Sequence, residues 1–239
     1  MTARDEILGR IRIATGRPEG SGPPPAPEYA NQPLIPARAQ GTPAELAARF
    51  VAMATEAEIS IDRVAETGLV GKAVAEWLSA EGLPNRAVVS PAPEMDACGW
   101  EDTGLDIRRG ATRGDDPVSV TPTIAGIAET GSIMVTTGSG TPYTLNFLPE
   151  IHIAIVHADR IVGGYEDAWA RVRRHGETGA ALPRTVTMIT GPSRSSDIER
   201  TVTVGVHGPK RLHIVLVGDP GADTENRSGR GSGTDGQEA

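Results

Sequence analysis

Short aliphatic runs alternate with helix-like segments along most of the chain, and this alternation limits the possible folds more than any other feature. Val, Ile and Leu dominate the runs, and the helical segments carry apolar residues three or four positions apart. The predicted strands are 59–64, 87–89, 118–120, 133–136, 151–156, 186–189 and 212–217, and the predicted helices are 3–14, 68–80, 159–174 and one beginning after Thr42. Continuous apolar strands separated by helices predict an α/β fold with a mostly parallel sheet and helices on both faces.

Composition divides the chain into three regions. Residues 1–40 combine a short amphipathic helix with a linker rich in Pro, Gly and Ala. Residues 41–218 form a single α/β domain, whose first helix is marked by an N-cap at Thr42, by Pro43 and by a capping-box Glu45. Residues 219–239 are too polar to offset the entropy cost of ordering, which predicts a disordered tail.

Charge and cysteine content exclude several classes of function. The 239 residues include 23 basic and 31 acidic side chains, and aromatic residues make up 3%. We therefore expect no nucleic-acid binding, which needs clustered Lys and Arg or exposed rings. Cys98 is the single cysteine, and the histidines lack ligand spacing, so we expect no metal and no cofactor on this chain. The absence of a secretory signal and of a membrane-spanning apolar run predicts a cytoplasmic protein.

The most informative segment follows the strand predicted at 186–189. It contains small residues, a guanidinium and several hydroxyls: Gly191, Pro192, Ser193, Arg194, Ser195, Ser196 and Asp197. A strand, a small-residue loop and a helix beginning near 198–199 would present backbone N–H groups at the carboxyl edge of the sheet, which predicts an anion-binding site. Arg194 would add a bidentate donor. The alternative is that Ser195, Ser196 or Asp197 caps the helix and Arg194 faces water.

A histidine between glycines forms a second part of this candidate site. His207 lies in a turn with Gly205 and Gly208, where the backbone could approach a ligand and the imidazole could donate to an anion or move a proton. The alternative is a structural hydrogen bond. His152 and His213 lie within predicted strands, and we expect them to pack in the core.

A carboxylate beside two hydroxyls precedes the strand at 133–136. Glu129, Thr130, Gly131 and Ser132 could supply a nucleophile, a general base or a ligand-binding group, or form a turn that faces solvent. The segment 138–148 is a candidate loop over the same edge of the sheet.

Several motifs together resemble a known family. They are Glu6 to Arg12 in the first helix, Ile127 to Ser132, Leu148 to Ala154, Gly191 to Arg194 with Asp197 to Glu199, and Gly205 to Pro209. The combination resembles the lactate utilisation protein C family, whose members carry the LUD domain. The resemblance covers about residues 40–218. It implies a Rossmann-like fold, similar to that of the glucosamine-phosphate isomerase, ribose-phosphate isomerase and CoA-transferase group.

The resemblance also implies a role in oxidising L-lactate to pyruvate alongside partners that carry cysteine-rich and iron–sulfur motifs. It assigns no catalytic residue. Two hypotheses follow. In the first, the chain is a non-redox subunit that binds a small carboxylate or phosphorylated ligand and docks onto iron–sulfur partner proteins. In the second, it is an independent CoA-transferase-like enzyme with Glu129 as the nucleophile.

Overall fold

A computed structural model describes residues 2–16, 35–177, 183–195 and 203–219. The chain divides into two compact units, Met1–Leu34 and Ile35–Ala239. The helices are α1 (Ala3–Thr15), α2 (Pro43–Glu56), α3 (Val70–Ala80) and α4 (Tyr165–Glu177). The strands are β1 (Ser60–Val64), β2 (Arg86–Val89), β3 (Asp106–Arg109), β4 (Val118–Pro122), β5 (Ala125–Ile127), β6 (Ser132–Thr136), β7 (Ile151–His157), β8 (Ile161–Val162), β9 (Val186–Ile189), β10 (Arg194–Ser195), β11 (Thr203–Val204) and β12 (Arg211–Val217).

The smaller unit contains α1. Its first turn is closed by a capping box between Thr2 and Asp5, and its last by Gly16 in the left-handed conformation. No side chain of α1 is buried, and Ile7 and Ile11 are exposed.

A six-stranded parallel sheet forms the centre of the larger unit, with the strand order β1-β12-β7-β4-β2-β3. The predicted parallel sheet is therefore confirmed. Successive side chains of a strand point to opposite faces, so β7 contributes to two apolar clusters. Ile153 and Ile155 pack with α3 on one face, and Ala154 and Val156 pack with α2 on the other.

A second, four-stranded sheet with the order β8-β5-β6-β9 lies on the α2 side. The strands predicted at 133–136 and 186–189 are present as β6 and β9, but they pair antiparallel with each other and are not part of the parallel sheet. Ala168 and Val172 of α4 pack on this second sheet. The fold thus has helices on both faces of the parallel sheet, as predicted, with an additional small sheet on one of them.

The region boundaries differ from the predicted ones at the start of the domain. Residues 35–40, predicted as linker, belong to the larger unit, and Ala37–Ala39 forms a 3-10 turn in it. Most of the predicted linker and residues 220–239 of the predicted tail lie outside the described residues. None of the described helices is long and apolar enough to cross a membrane.

Candidate functional site

The turn that follows β9 lies at the amino-terminal edge of the parallel sheet. Ser193 N–H donates to Pro209 O (2.8 Å). Lys210, which follows Pro209 in the chain, donates its N–H to Glu150 O (2.8 Å). Glu150 and Lys210 immediately precede β7 and β12. The expected position at the carboxyl edge is therefore wrong. The reason is that β9 belongs to the second sheet, so its end does not coincide with the carboxyl ends of the parallel strands.

The polar groups of Ser193 and Arg194 bind the chain itself. Ser193 Oγ accepts from His207 N–H (3.2 Å), and Ser193 O accepts from Gly205 N–H (2.9 Å). The Arg194 guanidinium forms an ion pair with the exposed carboxylate of Glu58. An exposed pair of this kind contributes about 0–1 kcal/mol, so an anionic ligand that replaces Glu58 would face little competition.

The remaining predicted residues of this site have mixed surroundings. Gly191 has φ +87°, and a Cβ there would lie 2.3 Å from Ala57 O, so only glycine fits. Pro192 is half-buried, Ser195 is buried and His207 is exposed. A Cβ on Gly208 would contact Ser193 at 3.5 Å. Ser196 and the predicted helix start at 198–199 lie outside the described residues.

Glu129 forms a separate ion pair in which only the carboxylate is buried. Its side chain is 8% exposed, and its Oε1 accepts from Nε (2.9 Å) and lies 2.8 Å from Nη2 of Arg38. The backbone supports this contact, because Glu129 N–H donates to Gly163 O (3.0 Å) and Gly163 lies directly against Ala39 O. A nucleophile for acyl transfer must reach a thioester carbonyl. The pairing and burial of Glu129 instead suit a carboxylate that anchors the 37–39 turn.

The two hydroxyls that follow Glu129 belong to an internal network. Thr130 Oγ1 lies 2.7 Å from Ser132 Oγ and 3.2 Å from the hydroxyl of Tyr165. Ser132 Oγ lies 2.6 Å from Thr190 Oγ1. Thr190 immediately precedes Gly191, so the network joins the two segments that the sequence predicts as functional.

Both segments also pack on the last turn of α2. A Cβ on Gly131, whose φ is +67°, would lie 2.2 Å from Ala54 N. Gly191 contacts Ala57, and Arg194 pairs with Glu58, just beyond the end of that helix. The glycines of both motifs therefore allow close packing of the second sheet on α2.

Sequence reasoning missed Arg38, Tyr165 and Thr190. Arg38 lies in the segment predicted as linker, and Tyr165 lies in the helix predicted at 159–174. A contact between side chains 91 residues apart has no local signal in a single sequence. Within the described residues, no group of three or more His, Cys, Asp or Glu side chains is placed to hold a metal ion.

A family model described as the LUD domain matches residues 49–217. The chain belongs to the LUD domain family. This LUD domain includes Glu129, the turn at 190–195 and His207, whereas Arg38 and α1 lie outside the matched residues. The resemblance of the motifs to this family is therefore confirmed.

Curated relatives of this LUD domain protein carry the name Lactate utilization protein C. The relative from Bacillus subtilis is 25% identical over 90% of this chain and 96% of its own length, and that from Exiguobacterium is 28% identical over 92% and 97%. A Geobacillus relative is 39% identical over 93 residues, and this match spans only 39% of that protein.

A solved structure supports the fold of this LUD domain. The crystal structure of a DUF162 family protein from Deinococcus radiodurans superposes with a TM-score of 0.58 and is 24% identical in sequence. It covers 75% of this chain and all of its own. At this level of identity, the likeness shows the architecture alone.

Proposed function

We propose that this LUD domain protein is a subunit of a cytoplasmic system that oxidises L-lactate to pyruvate. In this proposal it binds a small anionic ligand and docks onto iron–sulfur partner proteins, and it supplies no redox centre itself. The observation that carries the proposal is the alignment of nearly the whole chain with two proteins named Lactate utilization protein C.

The one thiol of the chain supports a role without a resident cluster. Cys98 is buried in the cluster that packs α3 on the parallel sheet, and burial raises the pKa of its thiol to about 11. A thiol with this pKa stays protonated near neutral pH, whereas metal ligation and nucleophilic attack need the thiolate. Cluster chemistry would therefore have to come from a partner protein.

The first helix supports a docking role. Helix α1 is capped at both ends and buries no side chain, and its apolar residues Ile7, Leu8 and Ile11 are exposed. A surface of this kind is typical of a segment that packs against another protein.

Affinity purification tests this proposal. We expect the tagged full chain, isolated from its source organism grown on L-lactate, to co-elute with iron-containing proteins that absorb visible light. We also expect a deletion strain to grow on glucose and to lose growth on L-lactate. Normal growth of the deletion strain on L-lactate would contradict the proposal, as would a purified full chain that brings down no iron.

A further inference from the structure

The order of the parallel strands reverses at one place in the larger unit. From β2 the chain continues to β3 on one side, and from β4 it continues, through the second sheet, to β7 on the other. The strands β2 and β4 are neighbours, so the connections that leave their carboxyl ends diverge. In open α/β sheets such a divergence leaves a crevice, and ligands bind there.

A Gly-Ser-Gly loop is fixed above this point. The hydroxyl of Ser90, the first residue after β2, donates to Gly140 O (2.5 Å), and its N–H donates to Val120 O of β4 (2.9 Å). Gly140 also lies close to Ala92, because an added Cβ would be 3.2 Å from the Ala92 Cα. The loop at 138–141 is therefore held against the end of β2, and Ser90 links it to the neighbouring β4.

A cleft of about 230 Å³ opens beside this loop. Segment 136–141 lines one part of it, and Ile124, Val172 and Pro183 line the other. Ligand pockets usually measure about 300–1,000 Å³, so this cleft suits a metabolite of a few carbon atoms. Its position agrees with the strand order, since Ile124 lies two residues beyond the end of β4.

The polar part of the cleft includes a loop with free backbone donors. Gly138 and Thr141 exchange two backbone hydrogen bonds of 3.2 Å, which fold the loop into a tight turn. Between them, the N–H groups of Ser139 and Gly140 have no partner within the described parts of the chain. Successive free amides with neighbouring hydroxyls form the kind of concave surface that binds anions.

The charges around the cleft limit the charge of the ligand. Among the lining residues that the structure describes, none carries an ionisable side chain. Arg109 donates to Ser90 O (3.2 Å) and Arg160 to Thr123 O (2.9 Å), but each is also paired with a carboxylate, Arg109 with Asp96 and Arg160 with Glu94. A doubly charged phosphate would gain little from balanced pairs, whereas a single carboxylate needs only a few neutral donors.

We propose that this cleft binds a small monocarboxylate of the 2-hydroxy or 2-oxo acid class. The carboxylate binds the amides of Ser139 and Gly140 and the hydroxyl of Thr141, and the short aliphatic part packs on Ile124 and Val172. The choice of this class rests on the proposed function. The ligand site is then at the carboxyl edge of the parallel sheet, at the opposite edge from Arg194.

Titration of the full chain with L-lactate, pyruvate and inorganic phosphate tests the proposal. Calorimetry gives the dissociation constants, and amide shifts in heteronuclear NMR spectra show which backbone groups respond. The cleft variant combines Ser139→Ala with Thr141→Val, which removes two hydroxyls and keeps the shape of the loop. Arg211→Ala, which breaks an exposed pair with Glu81, is the matched control, and Arg194→Ala tests the anion site that the sequence predicts at the other edge.

We expect L-lactate or pyruvate to bind more tightly than phosphate and to shift the amides of Ser139 and Gly140. The cleft variant should raise the dissociation constant at least about tenfold, whereas the control Arg211→Ala should change it less than about twofold. Loss of binding in Arg194→Ala alone overturns the proposal, as does a wild type that binds neither acid. If the cleft variant fails to fold, the amide shifts of the wild type still decide. Growth and co-purification on lactate test the proposed function independently of this site.

Discussion

The buried carboxylate of Glu129 separates the two functional hypotheses at the scale of single residues. Its ion pair with Arg38 joins a largely buried group to a guanidinium that is 68% exposed. Solvent screens the exposed partner, so we expect a modest coupling free energy of about 1 kcal/mol. A structural role for Glu129 and a role as nucleophile therefore lead to different experimental expectations.

We expect Glu129→Ala and Arg38→Ala each to lower the free energy of unfolding by about 1–2 kcal/mol. The double variant should lose less than the sum of the two, because either substitution alone breaks the pair. Urea unfolding at pH 7.5 measures all four proteins of this cycle. The wild type, incubated with acetyl-CoA and then hydroxylamine, should show no modified Glu129 peptide by mass spectrometry. A hydroxamate on Glu129 would instead support the CoA-transferase hypothesis.

Only part of this site could be predicted from the sequence. Glu129, Thr130 and Ser132 are consecutive or nearly so, and their grouping follows from the chain itself. Their partners Arg38, Tyr165 and Thr190 come from segments that only the folded chain brings together. The need for glycine at position 131 could not be predicted either, because it comes from the backbone of α2, which packs directly against this residue.

At the scale of elements, the sequence predicts a helix or strand correctly where residues close together in the chain determine it. The capping box at Thr42 and Glu45 begins α2 as predicted, because its hydrogen bonds connect residues three apart. The apolar runs of β4, β7 and β12 likewise became buried parallel strands. The similar runs of β6 and β9 form strands as predicted but join the second sheet, because an apolar run does not specify which sheet it joins. The strand β3 was not predicted, because it lies in the segment 91–117, which is rich in Pro and Gly and lacks a clear apolar run.

The helix α1 carries a prediction at this scale. We expect deletion of residues 2–16 to abolish co-elution with iron-containing partners and to leave the melting temperature of the larger unit unchanged within about 1–2 °C, because α1 buries no side chain. Affinity purification from lactate-grown cells and thermal unfolding measure the two effects.

Point variants of α1 separate its apolar surface from its mere presence. Ile7→Ser with Ile11→Ser keeps the capping residues and removes exposed apolar area, so co-elution should fall as in the deletion. Arg10→Gln, which breaks only the exposed pair with Glu6, serves as the matched control and should keep its partners. Equal retention of partners by the deletion and the wild type would rule out a docking role for α1.

At the scale of the whole molecule, two buried histidines link folding to pH. His152 and His213 are fully buried on opposite faces of the parallel sheet, and burial lowers the pKa of each to about 4. His152 Nε2 lies 2.7 Å from Thr121 Oγ1, and the ring of His213 stacks on Trp77 with 4.1 Å between centroids. An unfolded chain holds histidines with a pKa near 6.5, so between pH 6.5 and 4 the unfolded state binds more protons than the folded state.

Stability must therefore fall as the pH decreases through this window. From the two pKa values, each histidine costs about 2 kcal/mol at pH 5 relative to pH 7.5, or about 4 kcal/mol together. Asp62, which lies 3.6 Å from His213, has a pKa raised by burial and by Glu76, so it opposes this loss, chiefly nearer pH 4. Urea unfolding at the two pH values measures the difference.

His213→Gln retains a group that can bond to Ser60 but does not titrate, so the loss of stability between pH 7.5 and pH 5 should shrink to about half in this variant. An undiminished drop in His213→Gln would assign the acid sensitivity to other groups, and the carboxylates, which titrate lower, would be the next to test.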